Sequence, residues 1–157
     1  MSKEKSCCFT GHRIVGNDLT PGIIERGIRH LALLKGVDTF IVGGALGFDT
    51  LCAQAVLRVK KEMPHIKLHI YAPCNNQAQR WRQKDIDTYY EILEQADYVD
   101  MPSVPYYDGC MKKRNYKMVD NSSYCIAYYK KDGTGTAQTI AYASKSGLAV
   151  YNLVGKA

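Results

Sequence analysis

The sequence predicts a doubly wound α/β fold, a mostly parallel sheet with helices on both faces. Three observations lead there. Short apolar runs alternate strictly with amphipathic runs along all 157 residues, with little chain between them. The apolar runs are strand-length, and the amphipathic ones carry apolar residues at spacings of three and four. Several strand exits carry glycine, as turns into helices do. No repeat, low-complexity tract or linker interrupts the pattern, so one domain over residues 1–157 is expected.

The elements follow in order. "SCCFTG" at 6–11 reads as a buried strand. Residues 19–36 read as a helix burying Ile24, Ile28, Leu31 and Leu34, with Thr20-Pro21 as its start signal and Gly36 as its stop. "VDTFIVGG" is the second strand. The helix after it places Cys52, Ala55, Val56, Val59 and Met63 on one stripe and ends at Pro64. "IKLHIYAP" is the third strand. A long helix over 76–96 is expected to bury Trp81, Ile86, Tyr89 and Leu93. "DYVDM" is a short fourth strand, and the loop over 101–109, rich in proline and tyrosine, is a candidate lid. A helix over 110–122, a strand over 123–129, a helix over 136–147 and a last strand over 148–154 complete the chain.

Composition narrows the function classes. Hydrophobic residues make up 46% and charged residues 23%, which is a globular rather than a disordered balance. No apolar run reaches the roughly 18 residues that a membrane helix needs, and the first residues do not read as a signal peptide. A soluble cytoplasmic protein with no membrane partner is expected. The six cysteines form no C-x-x-C pair and the four histidines supply no paired ligands, so reduced buried thiols and no metal are expected. The net charge of +6 favours anionic partners such as nucleotides, phosphates or nucleic acid.

In this architecture ligands bind outside the carboxyl ends of the strands. The first strand ends in Gly11-His12-Arg13, and the second in Gly43-Gly44-Ala45-Leu46-Gly47-Phe48-Asp49. The fifth ends in Lys131-Asp132-Gly133-Thr134-Gly135-Thr136. A phosphate seats on the free N–H groups at a helix N-terminus, glycine lets it approach the backbone, and Gly135 is expected at positive φ there. Thr134 and Thr136 can add hydroxyl hydrogen bonds or a cap. Arg13 can pair with an anion. Gly-Gly-x-x-Gly lacks the spacing of the dinucleotide fingerprint, and no acidic residue closes the next strand. Asp49 falls in the first turn of its helix, where a carboxylate favours the helix dipole; a ligand contact or a base role are the alternatives. Arg80-Trp81-Arg82 is read as a core tryptophan flanked by solvated arginines, with base stacking as the alternative. The run "KKRNYK" reads mostly as a solvated helix face. The twelve tyrosines beside this positive charge raise single-stranded nucleic acid as a partner, although many lie where core residues would.

"FTGHR", "VGGALGFDTLCAQA" and "MKKRNYKMVDNSSYCIAYYKKDGTGTAQTIAYA" resemble the YpsA-like family. It belongs to the superfamily that unites the DNA-processing DprA proteins with the LOG phosphoribohydrolases. The resemblance covers nearly the whole chain. It implies a Rossmann-like fold and a nucleotide-derived ligand. Gly11 and Arg13 match the Gly-x-Arg of DprA-like members, and Gly43, Gly44, Gly47 and Asp49 the Gly-Gly-x-x-Gly-x-Asp block. Arg114 and Met118 match the Arg-(x)3-Met helix of LOG enzymes. Their Pro-Gly-Gly-x-Gly-Thr-x-x-Glu loop lines up with Lys131 to Thr139. Gly133, Gly135 and Thr136 keep the cradle, while Thr139 stands where LOG enzymes have glutamate. A hydroxyl does not ionise near neutrality, so Thr139 cannot take the acid/base role.

The expectation is therefore a binding module for a nucleotide or an NAD- or ADP-ribose-like ligand, a sensor rather than an enzyme. Its ligand residues are Gly11, His12, Arg13, Gly43, Gly44, Ala45, Gly47, Asp49, Arg114, Gly133, Thr134, Gly135 and Thr136. The alternatives are a phosphoribohydrolase with a relocated carboxylate, Asp49 or Asp132 with Arg114, and a DprA-like nucleic-acid binder of weak affinity. No cofactor beyond the nucleotide-type ligand and no particular oligomeric state is implied.

Overall fold

The computed structural model describes residues 1–131 and 134–155. Six strands form one all-parallel sheet in the order β4-β3-β2-β1-β5-β6. They are β1 (Ser6–Gly11), β2 (Thr39–Val42), β3 (Lys67–Tyr71), β4 (Tyr98–Asp100), β5 (Tyr124–Tyr128) and β6 (Ala149–Asn152). The helices between them are α1 (Pro21–Leu34), α2 (Phe48–Glu62), α3 (Gln83–Gln95), α4 (Cys110–Asp120) and α5 (Gly135–Lys145).

A sheet covered on both faces needs strands that are apolar on both sides. In β1, Cys7 and Phe9 join the core under α1 and α2, while Cys8 points to the opposite core with Met118, Val119 and Ala143 of α4 and α5. Neighbouring strands keep this register: Cys7 pairs with Phe40 and Tyr124, Cys8 with Ile41 and Cys125. Ile24, Ile28, Val56 and Val59 are fully buried, so truncating one of them to alanine would cost about 1–5 kcal/mol. All six cysteines are buried and free.

The helix ends show why these segments stop. The Thr20 hydroxyl accepts a hydrogen bond from the Ile23 amide at 3.3 Å, and Pro21 occupies the first turn, where its missing N–H costs nothing. Gly36, at φ +69, follows the C-cap of α1. α2 ends at Glu62, just before Pro64.

The structure corrects three expectations. Leu34, the last residue of α1, is 70% exposed, and Ile23 near its start takes a place on the buried face instead. The helix expected over 76–96 begins only at Gln83. Residues 76–82 form turns closed by Gln79 N–H to Asn76 O and Trp81 N–H to Ala78 O, so Trp81 stands outside the helix and half-buried. Within α3 the buried residues are Tyr89 and Ile92. Most tyrosines are not core: of the twelve, only Tyr71, Tyr89 and Tyr128 are buried.

The chain builds outward from β1 through β2 and β3 to β4, then crosses back to place β5 on the other side of β1. The sheet therefore reverses its winding between β1 and β5. Connections leave there in opposite directions, and a crevice opens beyond the strand ends. Among the described residues no helix is long and apolar enough to cross a membrane.

Candidate functional site

A cleft of about 390 Å³ occupies that crevice, bounded by the exit of β1, the start of α2, the cleft-facing side of α4 and the start of α5. Of the residues singled out in the sequence, it gathers Gly11, His12, Arg13, Ala45, Asp49, Arg114, Thr134, Gly135 and Thr136. Phe9, Thr10, Met111 and Asn115 also line it. The last two sit three residues before and one after Arg114, on the turns of α4 that carry it, and helical spacing from Arg114 is the signal that could have found Met111.

Gly43, Gly44 and Gly47 lie behind the wall and do not line the cleft. Gly47 has φ +80, and a Cβ there would fall 2.0 Å from the carbonyl oxygen of Arg13. The Phe48 amide donates to His12 O at 3.2 Å, locking the β1 exit onto the start of α2. These glycines serve close packing of the protein against itself, which correct spacing alone does not distinguish from ligand approach. Gly135 is different. It opens α5 without a positive φ, contrary to expectation, and a Cβ there would meet nothing within 4 Å.

Two buried charges form the back of the cleft. Arg114 is 6% exposed and donates through Nη1 to Gly43 O at 2.5 Å and to Tyr71 O at 3.1 Å, and through Nε to Asn115 Oδ1 at 2.8 Å. Asp49, 8% exposed, accepts the Ala45 amide at 3.2 Å. Both groups flank Gly43: a Cβ on that glycine would lie 2.7 Å from the Arg114 guanidinium and 3.0 Å from Asp49 Oδ2. Burial pushes the Asp49 carboxyl up to about 6, against the opposing pull of Arg114, the Ala45 amide and Arg13. Burial also lowers the Arg114 pKa, opposed first by Asp49; an arginine nevertheless keeps its proton in a protein.

The start of α5 offers donors. Thr134 caps the helix, its hydroxyl accepting the Ala137 amide at 3.1 Å. The amides of Gly135 and Thr136 have no acceptor among the described residues. Gly133 and Asp132 lie outside the described residues. Thr139 is buried, and its hydroxyl donates back to Gly135 O at 2.9 Å within its own helix.

His12 has a structural tie. Its Nε2 accepts the Lys130 amide at 3.0 Å, which fixes Nδ1 as the protonated nitrogen of the neutral ring. Desolvation, with Lys131 and Lys130 nearby, lowers its pKa and favours that neutral form. Lys130 is itself paired with Asp18 at 3.1 Å. Arg13, exposed at the mouth, makes no ion pair among the described residues. No cluster of three metal-ligating side chains occurs among the described residues.

Fold and cleft together define a Rossmann-like α/β protein with a crevice at its topological switch point that Arg13 and Arg114 line. The chain belongs to the YspA SLOG family, whose profile matches residues 22–149. A UPF0398 protein of Brevibacillus brevis is 30% identical over 141 residues, 85% of this chain and 75% of its own length. Another from Halalkalibacterium halodurans is 32% identical over 109 residues, 68% of this chain and 58% of its own. Among solved structures, DNA processing protein A from Helicobacter pylori, described for its single-stranded DNA binding mode, superposes with a TM-score of 0.68. It is 18% identical and covers 94% of this chain and 64% of its own. The Streptococcus pneumoniae protein gives a TM-score of 0.68 at 17% identity, with 94% and 50% covered. At such identity the likeness speaks to fold alone. The chain thus spans half to three quarters of the length of these relatives and neighbours.

Proposed function

We propose that the cleft binds the phosphate of a nucleotide, carried by a single-stranded nucleic acid. The observation that supports this best is the meeting of two kinds of anion donor in one crevice. Arg13 makes no ion pair among the described residues, and the Gly135 and Thr136 amides are N–H groups at a helix N-terminus with no acceptor among the described residues. Arg114 adds buried positive charge behind them, held by carbonyls rather than by the ligand. The net charge of +6 and the exposed tyrosines suit a polyanion with bases. The DNA binding described for the Helicobacter pylori neighbour points the same way.

Fluorescence anisotropy with a labelled single strand tests the reading. Binding at low salt should weaken steeply toward physiological salt, and Arg13→Ala should reduce the slope of log K against log salt by about one. No binding at low salt would overturn it.

A free nucleotide or NAD- or ADP-ribose-like ligand is the second reading. It is favoured by the cleft volume of about 390 Å³, which lies within the usual range for small-molecule sites. Calorimetry with mononucleotides and ADP-ribose separates the two. In either case the reading is binding without hydrolysis, since the Thr139 hydroxyl is turned into its own helix.

A further inference from the structure

We propose that a second cavity, lined by Arg13, Gln77, Arg80, Trp81 and Tyr106, is a stacking subsite for the base of the nucleotide whose phosphate the cleft holds. This rests on the phosphate-binding reading and extends it. The cavity measures about 490 Å³ and shares Arg13 with the cleft, so one guanidinium borders both the phosphate position and the base position.

The walls are built to hold their shape. Trp81 sits in the turns before α3, half-buried, with its ring set edge-on to Tyr89 at 5.3 Å. Gln77 Nε2 donates to Tyr89 OH at 3.0 Å and to Gly43 O at 3.4 Å, and the second bond fixes the amide orientation because a carbonyl only accepts. Opposite stands the loop over 101–109. The Asn75 amide donates to Val104 O at 2.8 Å, and Asn76 Oδ1 accepts the Tyr106 amide at 2.9 Å. These bonds hold Tyr106 beside the cavity while leaving it 58% exposed. Arg80, like Arg13, makes no ion pair among the described residues.

An indole, a phenol and two uncommitted guanidiniums around one opening match the chemistry of a nucleobase, which offers a π-face to each. A purely aliphatic occupant would leave both cations unanswered. Stacking itself needs only a π-face, which every base has.

Trp81 is the only tryptophan, so fluorescence excited beyond the tyrosine absorption band reports on this cavity. The experiment titrates the native protein with an oligothymidylate, with an abasic strand of equal length and charge, and with free thymidine monophosphate. The oligothymidylate should quench Trp81 and the abasic strand should not, although both bind by anisotropy. Trp81→Ala should weaken the oligothymidylate roughly five- to hundredfold and the abasic strand less than twofold. Tyr106→Ala, at an exposed position, should do the same in smaller measure and serves should Trp81→Ala fail to fold. Quenching by the mononucleotide alone would assign the base to a free nucleotide in the same subsite. Equal binding of both strands with unchanged fluorescence overturns the base subsite and leaves the phosphate cleft standing. Binding of no probe overturns both.

Discussion

The carbonyl oxygen of Gly43 accepts a hydrogen bond from Arg114 Nη1 at 2.5 Å, joining the end of β2 to the middle of α4 through the floor of the cleft. Removing the guanidinium leaves Gly43 O without its best donor and Asp49 without its nearest countercharge. Arg114→Ala should therefore destabilise the fold by about 1–3 kcal/mol, the cost of leaving buried carbonyls without their charged donor. Urea denaturation measures this. Addition of Asp49→Asn should recover part of the loss, and strict additivity of the two would show that they do not interact.

The two kinds of glycine should separate cleanly. Gly47→Ala puts a Cβ against the Arg13 carbonyl at a φ of +80 and should unfold the protein or cost several kcal/mol. Gly135→Ala meets nothing and should leave stability unchanged or raise it by about 0.4–1 kcal/mol. Gly135→Asp should fold, by circular dichroism, and lose nucleotide affinity at least tenfold through charge repulsion at the helix N-terminus. Full affinity in that variant would remove α5 from the binding site.

Asp49 sets a pH dependence whose sign is fixed. Its folded pKa is about 6 against an ordinary 3.8. Between those values the folded protein holds a proton that the unfolded chain has released. This contribution to stability is complete below the unfolded pKa and is lost as pH rises through about 6, in total by about 3 kcal/mol. Asp49→Asn abolishes it. Stability measured by urea at pH 4.5 and pH 7 should differ less in the variant than in the native protein, by an amount of that order. An unchanged difference would show that Asp49 does not titrate there.

Hydrolysis should be absent. Native protein incubated with nucleoside monophosphates should release free base at background, because losing a positioned acid or base costs about 10²–10⁴-fold. Thr139→Glu should not restore it: the position is 3% exposed and faces the protein, so a carboxylate there should destabilise the fold instead. Base release by the native protein that Asp49→Asn abolishes would make this an enzyme.

The order of elements and the existence of a cleft at three strand exits were legible in the sequence. Hydrophobic period and cap residues are local properties, and Thr20-Pro21 or the doubly apolar β1 carry them within a few residues. The local pattern around Trp81 read as helix because apolar spacing continues through it, yet turns closed within 76–82 prevailed. That choice moved the tryptophan from the core to the edge of a cavity.

What the sequence by itself determined is the alternation of strands and helices, and with it the rim on which Gly11, Arg13, Asp49, Arg114 and Thr134 to Thr136 must gather. Chain order and hydrophobic period suffice for the strand exits, and the family motif adds Arg114. Only the tertiary structure decided which glycines face the cleft and which face the protein. It also decided that Arg114 is spent on Gly43 and Tyr71, that Thr139 turns into its own helix, and that Phe9, Thr10, Met111 and Asn115 complete the lining. The physical reason is that each of these depends on what a residue meets across space, on a neighbour tens of positions away. Gly47 is glycine because of the Arg13 carbonyl, and no spacing within the chain records that contact.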